Sequence, residues 1–423
     1  MSSDLPSYDA AAAMVAAYCA QLAKLRQFSE SVVLEQAAGK VLANALCADQ
    51  DQPPFSRSTR DGFACRAQEA SKYGFLRIVG AARAGDAPAG PLPKGASWEI
   101  MTGAPIPAGA NAVMMIEHVE RVGEKVRLMP PRKLKPGENM VAQGAQALAG
   151  DELLPAGTMI EFAQIALAAA CGYPALEVFA RPRVVILATG DELVPVESSP
   201  APGQIRNSNA PMLAAMVAAA GGEPWVLPAA ADNAESLDAA LAQAAESDLL
   251  LISGGVSAGK FDLVEPALAR AGARFHFTGV RIQPGKPLVF GEMPGRNACT
   301  IQSENGTKCF FGLPGNPVSS AVTFLLFAAP VLEALAGRLS YGPRFALARL
   351  TAKGGKLAKR GLTRFLPAAC TFGVSAGQTP EVVLDPMQGS GDLAALARSN
   401  CFLVVPEDAR NFEAGAIVRI LLS

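Results

Sequence analysis

Between residues 181 and 337 short apolar runs alternate with alanine-rich stretches of helical length. RVVILATG, EPWVLPAAAD and DLLLISGG read as strands. NAPMLAAMVAAAGG, ESLDAALAQAAES and VEPALARAGA read as the helices between them. PLVFGEM and KCFFGLPG are two more strands, and PVSSAVTFLLFAAPVLEALAG is a closing helix. Strands that are apolar throughout are buried on both faces, and an intervening helix returns the chain for parallel pairing. Repeated βα units therefore predict a parallel sheet sandwiched by helices.

The flanking segments have a different texture. At 423 residues the chain exceeds one ordinary core. Residues 8–28 form an amphipathic helical pattern. Residues 31–48 read as another helix, or as a strand and a helix, and QPPFSRS then breaks the pattern. From Phe55 to Gln143 short apolar runs alternate with Gly and Pro, as in a small β-rich domain. A helix returns at Phe162–Cys171. The tail holds four short strand-like runs, FALARLTA, EVVLDP, CFLVVPE and AIVRILL. The expected organisation is an α/β multidomain chain. Residues 1–54 and 144–180 make a discontinuous linker domain, and 55–143 an inserted β-rich domain. Residues 181–338 make the α/β domain, and 339–423 a barrel-like β domain.

Charge and cysteine usage exclude several classes. A net charge of −1 argues against general nucleic-acid binding, which needs a basic surplus. None of the eight cysteines pairs at the two-residue gap of a zinc or redox motif, and His118 and His276 are the only histidines. Buried thiols in a reducing compartment are expected. MSSDLPSYDA lacks the basic start of a secretory signal, and the apolar run Ala321–Leu332 is too short to span a bilayer. The expectation is a cytoplasmic protein with no membrane or nucleic-acid partner.

Ligands of open parallel sheets bind beyond the carboxyl ends of the strands. The loops at those ends carry Thr189-Gly190-Asp191-Glu192, Asp232-Asn233, Ser253-Gly254-Gly255-Val256-Ser257 leading to Asp262, and Pro314-Gly315-Asn316. Gln283-Pro284-Gly285-Lys286-Pro287 precedes another strand. Paired glycines let backbone N–H groups approach an anion, and the serines add hydroxyls. Lys286 supplies a mobile positive charge. Glu192, Asp232 and Asp262 are more acids than a phosphate site needs, and suggest a hard cation between them. The stretch LLLISGGVSAGKFD resembles a P-loop, with Gly254, Gly259 and Lys260 in place. Phe261, however, occupies the position of the metal-directed hydroxyl. Each loop alone could be a turn or a helix cap. Pro53–Ala64 and MTGAPIPAG (101–109) form a second cluster that includes Asp61 and Thr102.

PPFSRSTRDGFA, MTGAPIP, TGDEL, GQIRNSN, SGGVSAGKFD, QPGKPL, GLPGNPVS and GSGDL occur in that order. Together they resemble the molybdopterin molybdenumtransferases, the MoeA family. The related domains of gephyrin and of plant molybdenum-insertion proteins share the pattern. The resemblance implies that the α/β domain binds molybdopterin. It implies insertion of molybdate into adenylylated molybdopterin, with Mg²⁺-assisted release of AMP. It further implies a homodimer in which Asp61 and Thr102 of one subunit enter the cleft of the other. The molybdopterin adenylyltransferase and apo-molybdoenzymes or their chaperones are the implied partners. Carried over by motif, Asp61, Thr102, Glu192, Asp232, Asp262 and Lys286 are catalytic, with Glu192, Asp232 and Asp262 on the metal. Thr189, Gly190, Asp191, Ser208, Ser253, Gly254, Gly255 and Ser257 contact substrate. So do Pro284, Gly285, Pro287, Pro314, Gly315, Asn316, Ser319 and Ser390.

The chain departs from the pattern at four positions. Gln283 replaces a common Lys, and Leu362 the Arg of a GR-x-x-F run. Lys260 replaces an acid, and Ser56 an Asp. The SGGVS site also occurs in the single-domain adenylylating enzymes, and a scaffolding role is a third reading. The added β domains and the DG motif disfavour the adenylylating reading, and the sequence has nothing that resembles a receptor-binding extension or a long linker.

Overall fold

The computed structural model describes residues 5–25, 28–87, 90–255, 263–295, 306–351, 359, 361–373, 379–409 and 412–423. The chain divides into two compact units. One comprises residues 1–43, 157–161 and 175–423, and the other residues 44–156 and 162–174.

The first unit contains the expected alternation. Its strands and helices run β1 (Arg183–Ala188), α1 (Asn209–Ala219), β2 (Glu223–Val226), α2 (Ala234–Gln243), β3 (Leu249–Ser253) and α3 (Val264–Arg270). They continue as β4 (Arg274–Thr278), β5 (Val289–Pro294), β6 (Thr307–Leu313) and the long helix α4 (Pro317–Leu335). The sheet order is β2-β1-β3-β6-β5-β4. The first four strands are parallel. The other two are antiparallel, which corrects the expectation of a wholly parallel sheet. PLVFGEM and KCFFGLPG are separated by a short stretch without a helical apolar pattern. Neighbouring strands joined without a crossover pair antiparallel. Strand β4, RFHFT, was not foreseen, because its polar alternation suits an edge.

Both faces of the central strands are buried. Val184, Ile186, Leu249, Leu251, Phe311 and Leu313 pack against α1, α4 and an N-terminal helix. Val185, Leu187, Leu250, Ile252 and Phe310 pack against α2 and α3. This two-sided burial is why the strands lack a polar face. The apolar run Ala321–Leu332 lies within α4. That helix is long and apolar enough to cross a membrane by length and composition, yet it is mostly buried in the fold. Its middle, Phe324–Ala328, widens to a π-turn before Pro330. A proline in a helix cannot donate and crowds the preceding turn, and a local π-turn accommodates it.

The N-terminal helix spans Tyr8–Leu22 and is capped by Ser7, whose Oγ accepts from Ala10 N at 3.2 Å. The helix expected within 31–48 does not form beyond one 3-10 turn at Leu34–Gln36. The valines instead end a strand, Ser29–Val33, paired with Ala175–Phe179. β-Branched residues favour that state over a helix.

The tail closes into a five-stranded barrel, β7 (Phe345–Leu350), β8 (Thr363–Thr371), β9 (Glu381–Leu384), β10 (Cys401–Val405) and β11 (Ile417–Leu422). The order is β8-β9-β7-β11-β10, and β10 pairs back with β8. The second unit is built on a six-stranded sheet that includes Gly62–Cys65, Leu76–Ala82, Ala96–Ile100 and Ala112–Met115. Its core holds Phe63, Leu76, Met114 and Val126. The helix expected at Phe162–Cys171 forms as Phe162–Ala170.

Candidate functional site

The carboxyl ends of β1, β3 and β6 open into one cleft of about 1090 Å³. Backbone bonds tie its floor together. Thr189 N donates to Ser253 O at 3.0 Å, Gly190 N to Ala230 O at 3.3 Å, and Gly254 N to Leu313 O at 3.1 Å. The loops after four strands are thus fixed to one another by groups that any sequence would supply. Side chain identity matters at Gly254. Its φ is +98°, and a Cβ there would lie 2.6 Å from Thr189 O. Only glycine fits, so the backbone of the Ser253-Gly254-Gly255 loop is exposed to the cleft.

Asn209, the first residue of α1, is a functional residue that the sequence reading missed. Its Nδ2 donates to Ser253 Oγ at 2.8 Å and to Gly315 O at 2.6 Å. It therefore joins the β3 and β6 loops beneath the cleft. The signal was its place in the NSN motif, where only Ser208 was singled out. Asn316 Nδ2 donates to Ser390 Oγ at 2.9 Å, and Val318 N to Ser390 O at 3.1 Å. These bonds bring the barrel's GSGDL loop to the start of α4. Thr189 Oγ1, Asn209 Oδ1 and Gln283 Oε1 are buried without a hydrogen-bond partner among the described residues. Each lines the cleft. Buried polar atoms left unpaired are costly, so this trio marks a surface built for a bound molecule.

The cleft lining carries charges of both signs. Glu192 folds its carboxylate over Gly190, where a Cβ would stand 2.6 Å from Glu192 Oε2. Burial pushes the Asp232 carboxyl above its ordinary value. The charges of Asp191 and Glu192 push it the same way, against a backbone hydrogen bond at Asp191. Lys286 sits exposed on the Gln283–Pro287 loop and lines the cleft. The arrangement can hold a polyanion by backbone and hydroxyl groups, with cationic and acidic side chains nearby.

Of the residues expected from sequence, Thr189, Gly190, Glu192, Ser208, Asp232, Ser253, Gly254 and Gly255 line this cleft. So do Pro284, Gly285, Lys286, Pro287, Pro314, Gly315, Asn316, Ser319 and Ser390. Asp191 is not in the lining. Its Oδ1 accepts from Asp232 N at 3.0 Å, so it positions the Asp232 loop. Ser257 and Asp262 lie outside the described residues, as does Lys260. Arg206, Asn207 and Met387 line the cleft and were not assigned from sequence; Arg364, which the resemblance offers as a stand-in for the arginine missing at Leu362, lines it too. No group of three or more potential metal ligands is gathered among the described residues. Glu192 and Asp232 are two of the three acids expected on a cation.

Asp61 and Thr102 come together in the second unit. Thr102 donates to Asp61 Oδ1 from its backbone N at 2.7 Å and from Oγ1 at 2.8 Å. These bonds hold the exposed Asp61 carboxyl below its usual range. Gly62 is required by space, since a Cβ would lie 1.9 Å from Met114 O. The Asp61-Gly62 pair is therefore the entry to a strand and not a bare turn.

Three family models match consecutive parts of the chain. They describe the MoeA N-terminal region (residues 6–172), a probable molybdopterin binding domain (185–334) and the MoeA C-terminal region (349–423). The molybdopterin molybdenumtransferase of Nostoc sp. is 33% identical over 94% of this chain and 89% of its own length. That of Staphylococcus epidermidis is 32% identical over 93% and 91%. A MoeA crystal structure from Pyrococcus horikoshii OT3 superposes with a TM-score of 0.78 at 28% identity. It covers 99% of this chain and all of its own. These matches run through both units and the cleft, and on them the chain belongs to the molybdopterin molybdenumtransferase family of enzymes, MoeA.

Proposed function

We propose that this protein inserts molybdate into adenylylated molybdopterin and releases AMP, the last step of molybdenum cofactor synthesis. The observation that carries the reading is the cleft itself. A glycine loop fixed by Asn209 lies among buried acceptors that have no partner among the described residues, with Lys286 and two acids in the same lining. The backbone N–H groups and hydroxyls of Ser253–Gly255 suit the phosphates of the substrate. The buried Thr189 and Asn209 oxygens suit donors on it. Lys286 offsets negative charge on the oxyanion and on the departing AMP. Glu192 and Asp232, with Asp262, would hold Mg²⁺, which supplies charge compensation on the pyrophosphate when bound. Asp61, kept ionised by Thr102, would act from the second unit. By resemblance, the protein works as a homodimer in the cytoplasm. The molybdopterin adenylyltransferase would supply its substrate, and apo-molybdoenzymes or their chaperones would receive its product.

The test is AMP release from adenylylated molybdopterin with molybdate and Mg²⁺. Wild-type protein should release AMP and yield cofactor that reconstitutes an apo-molybdoenzyme. Lys286→Met should lower the rate by about tenfold or more while leaving the fold intact. Folded wild-type protein with no AMP release above the protein-free control would overturn the reading.

A further inference from the structure

The loop that carries Lys286 is poor in anchors of its own. Residues 283–287 read QPGKP, and the two prolines have no N–H to donate. All five residues line the cleft, with Ile282 before them. Val280 N donates to Lys286 O at 2.9 Å and closes the base of the loop. Gly285 lies against α4, where a Cβ would stand 2.6 Å from Thr323 Cγ2. The placement of the Lys286 backbone therefore depends on what holds residues 279–282.

Two segments distant in sequence hold them among the described residues. Arg281 O accepts from Thr363 N of β8 at 3.1 Å, and Arg281 N donates to Pro6 O at 2.9 Å. Beside that second bond the Leu5 side chain lies on the bare backbone of Gly279. A Cβ there would come within 2.9 Å of Leu5 Cδ2 and 3.5 Å of Lys286 O. The segment Leu5–Tyr8 is itself well seated. Ser7 caps the N-terminal helix. The Tyr8 ring is buried edge-on to Phe365 of β8 at 5.4 Å and to Phe327 of α4 at 6.1 Å. Such edge contacts stabilise beyond the area they bury. We infer that Leu5–Tyr8 is a clamp on the Gln283–Pro287 loop, and that Leu5 is a positioning residue acting through Lys286. A reacting group displaced by about 1 Å loses much of its effect, so a clamp remote from the chemistry bears on the rate. This rests on the functional reading above and adds to it the part of the chain that fixes the cleft cation in place.

Amide hydrogen exchange is followed by mass spectrometry in the full chain for the wild type, Leu5→Ala and the conservative Leu5→Met. Leu347→Ala, the same truncation at a leucine 62% exposed on the barrel, is the control. Leu5→Ala should speed exchange of the peptide spanning residues 279–287 by about fivefold or more and leave β3 unchanged. Leu5→Met should restore most of the protection, and Leu347→Ala should change neither peptide. In AMP release Leu5→Ala should lower kcat by about threefold or more, with KM within about twofold. In a Lys286→Met background it should lower kcat no further. Unchanged exchange over residues 279–287, or equal acceleration of β3, overturns the inference. So does a loss confined to KM, or a kcat loss that multiplies with that of Lys286→Met. A wild type that releases no AMP overturns the functional reading, and the exchange measurement still decides whether the segment clamps the loop.

Discussion

Asn209 shows how one amide can organise a site. Its two donated bonds hold the β3 loop and the β6 loop at a fixed separation. Its oxygen is buried without a hydrogen-bond partner among the described residues, and the residue lines the cleft. Asn209→Ala leaves Ser253 Oγ without its donor and frees Gly315 O. Loss of a buried hydrogen bond costs about 1–3 kcal/mol, so urea unfolding should shift to that extent. Molybdopterin affinity should fall with it, because the glycine loop loses its tether. A variant as stable as wild type, with unchanged affinity, would show that the backbone bonds alone hold the loops. Sequence reasoning found most of the lining because its motifs sit at strand ends, where parallel sheets bind ligands. It passed over Asn209 because an asparagine at a helix start reads as a cap. Asp191 was assigned to substrate for the opposite reason. In the TGDE loop it is chemically indistinguishable from its neighbours, and only the hydrogen bond to Asp232 N separates its role.

Lys308 pins one element to another. It lies on β6 at 3% exposure, and its Nζ donates to Ala244 O and, at 3.3 Å, to Ser247 Oγ. Ala244 caps the C-terminus of α2, where a cation is favoured by the helix dipole. Burial nonetheless drives the ammonium down from 10.5 to about 8, against the charges of Cys309 and Asp248. Between those two values the unfolded chain keeps a proton that the folded chain has lost. Stability contributed by this group is therefore fully present above 10.5 and is lost as pH falls through about 8. Urea unfolding of wild type against Lys308→Met should show a wild-type gain on raising the pH across this window, of up to about 3 kcal/mol. Parallel profiles would mean that the amine is as well solvated folded as unfolded. Elements with a strong period were legible in the sequence, and this is why β1, β3, α1 and α2 fall where expected. β8 was not legible: Pro367 and three alanine or cysteine residues interrupt its pattern, although it is the strand that closes the barrel. Closure gives this strand partners on both sides, and that long-range pairing leaves little trace in local composition.

At the scale of the molecule, the acids and Lys286 of the cleft lie in one unit, and the Asp61–Thr102 pair in the other. If the protein is a homodimer with sites shared between subunits, as the family resemblance implies, neither half is complete in its own chain. Two variants distinguish this from a site assembled within one chain. Asp61→Asn removes the charge held by Thr102, and Lys286→Met removes the cleft cation. Each homodimer should release AMP at about a tenth of the wild-type rate or less. After mixing under conditions that allow subunit exchange, half of the dimers are mixed. Each mixed dimer has one composite site built from its two intact halves and one built from both damaged halves. Activity should then recover to about a quarter of wild type, with the increase following the exchange kinetics. A site assembled within one chain predicts no recovery, since every chain carries one lesion. The outcome turns on C2 symmetry, because a two-fold axis that places one subunit's Asp61 in its partner's cleft must place the partner's Asp61 in the first.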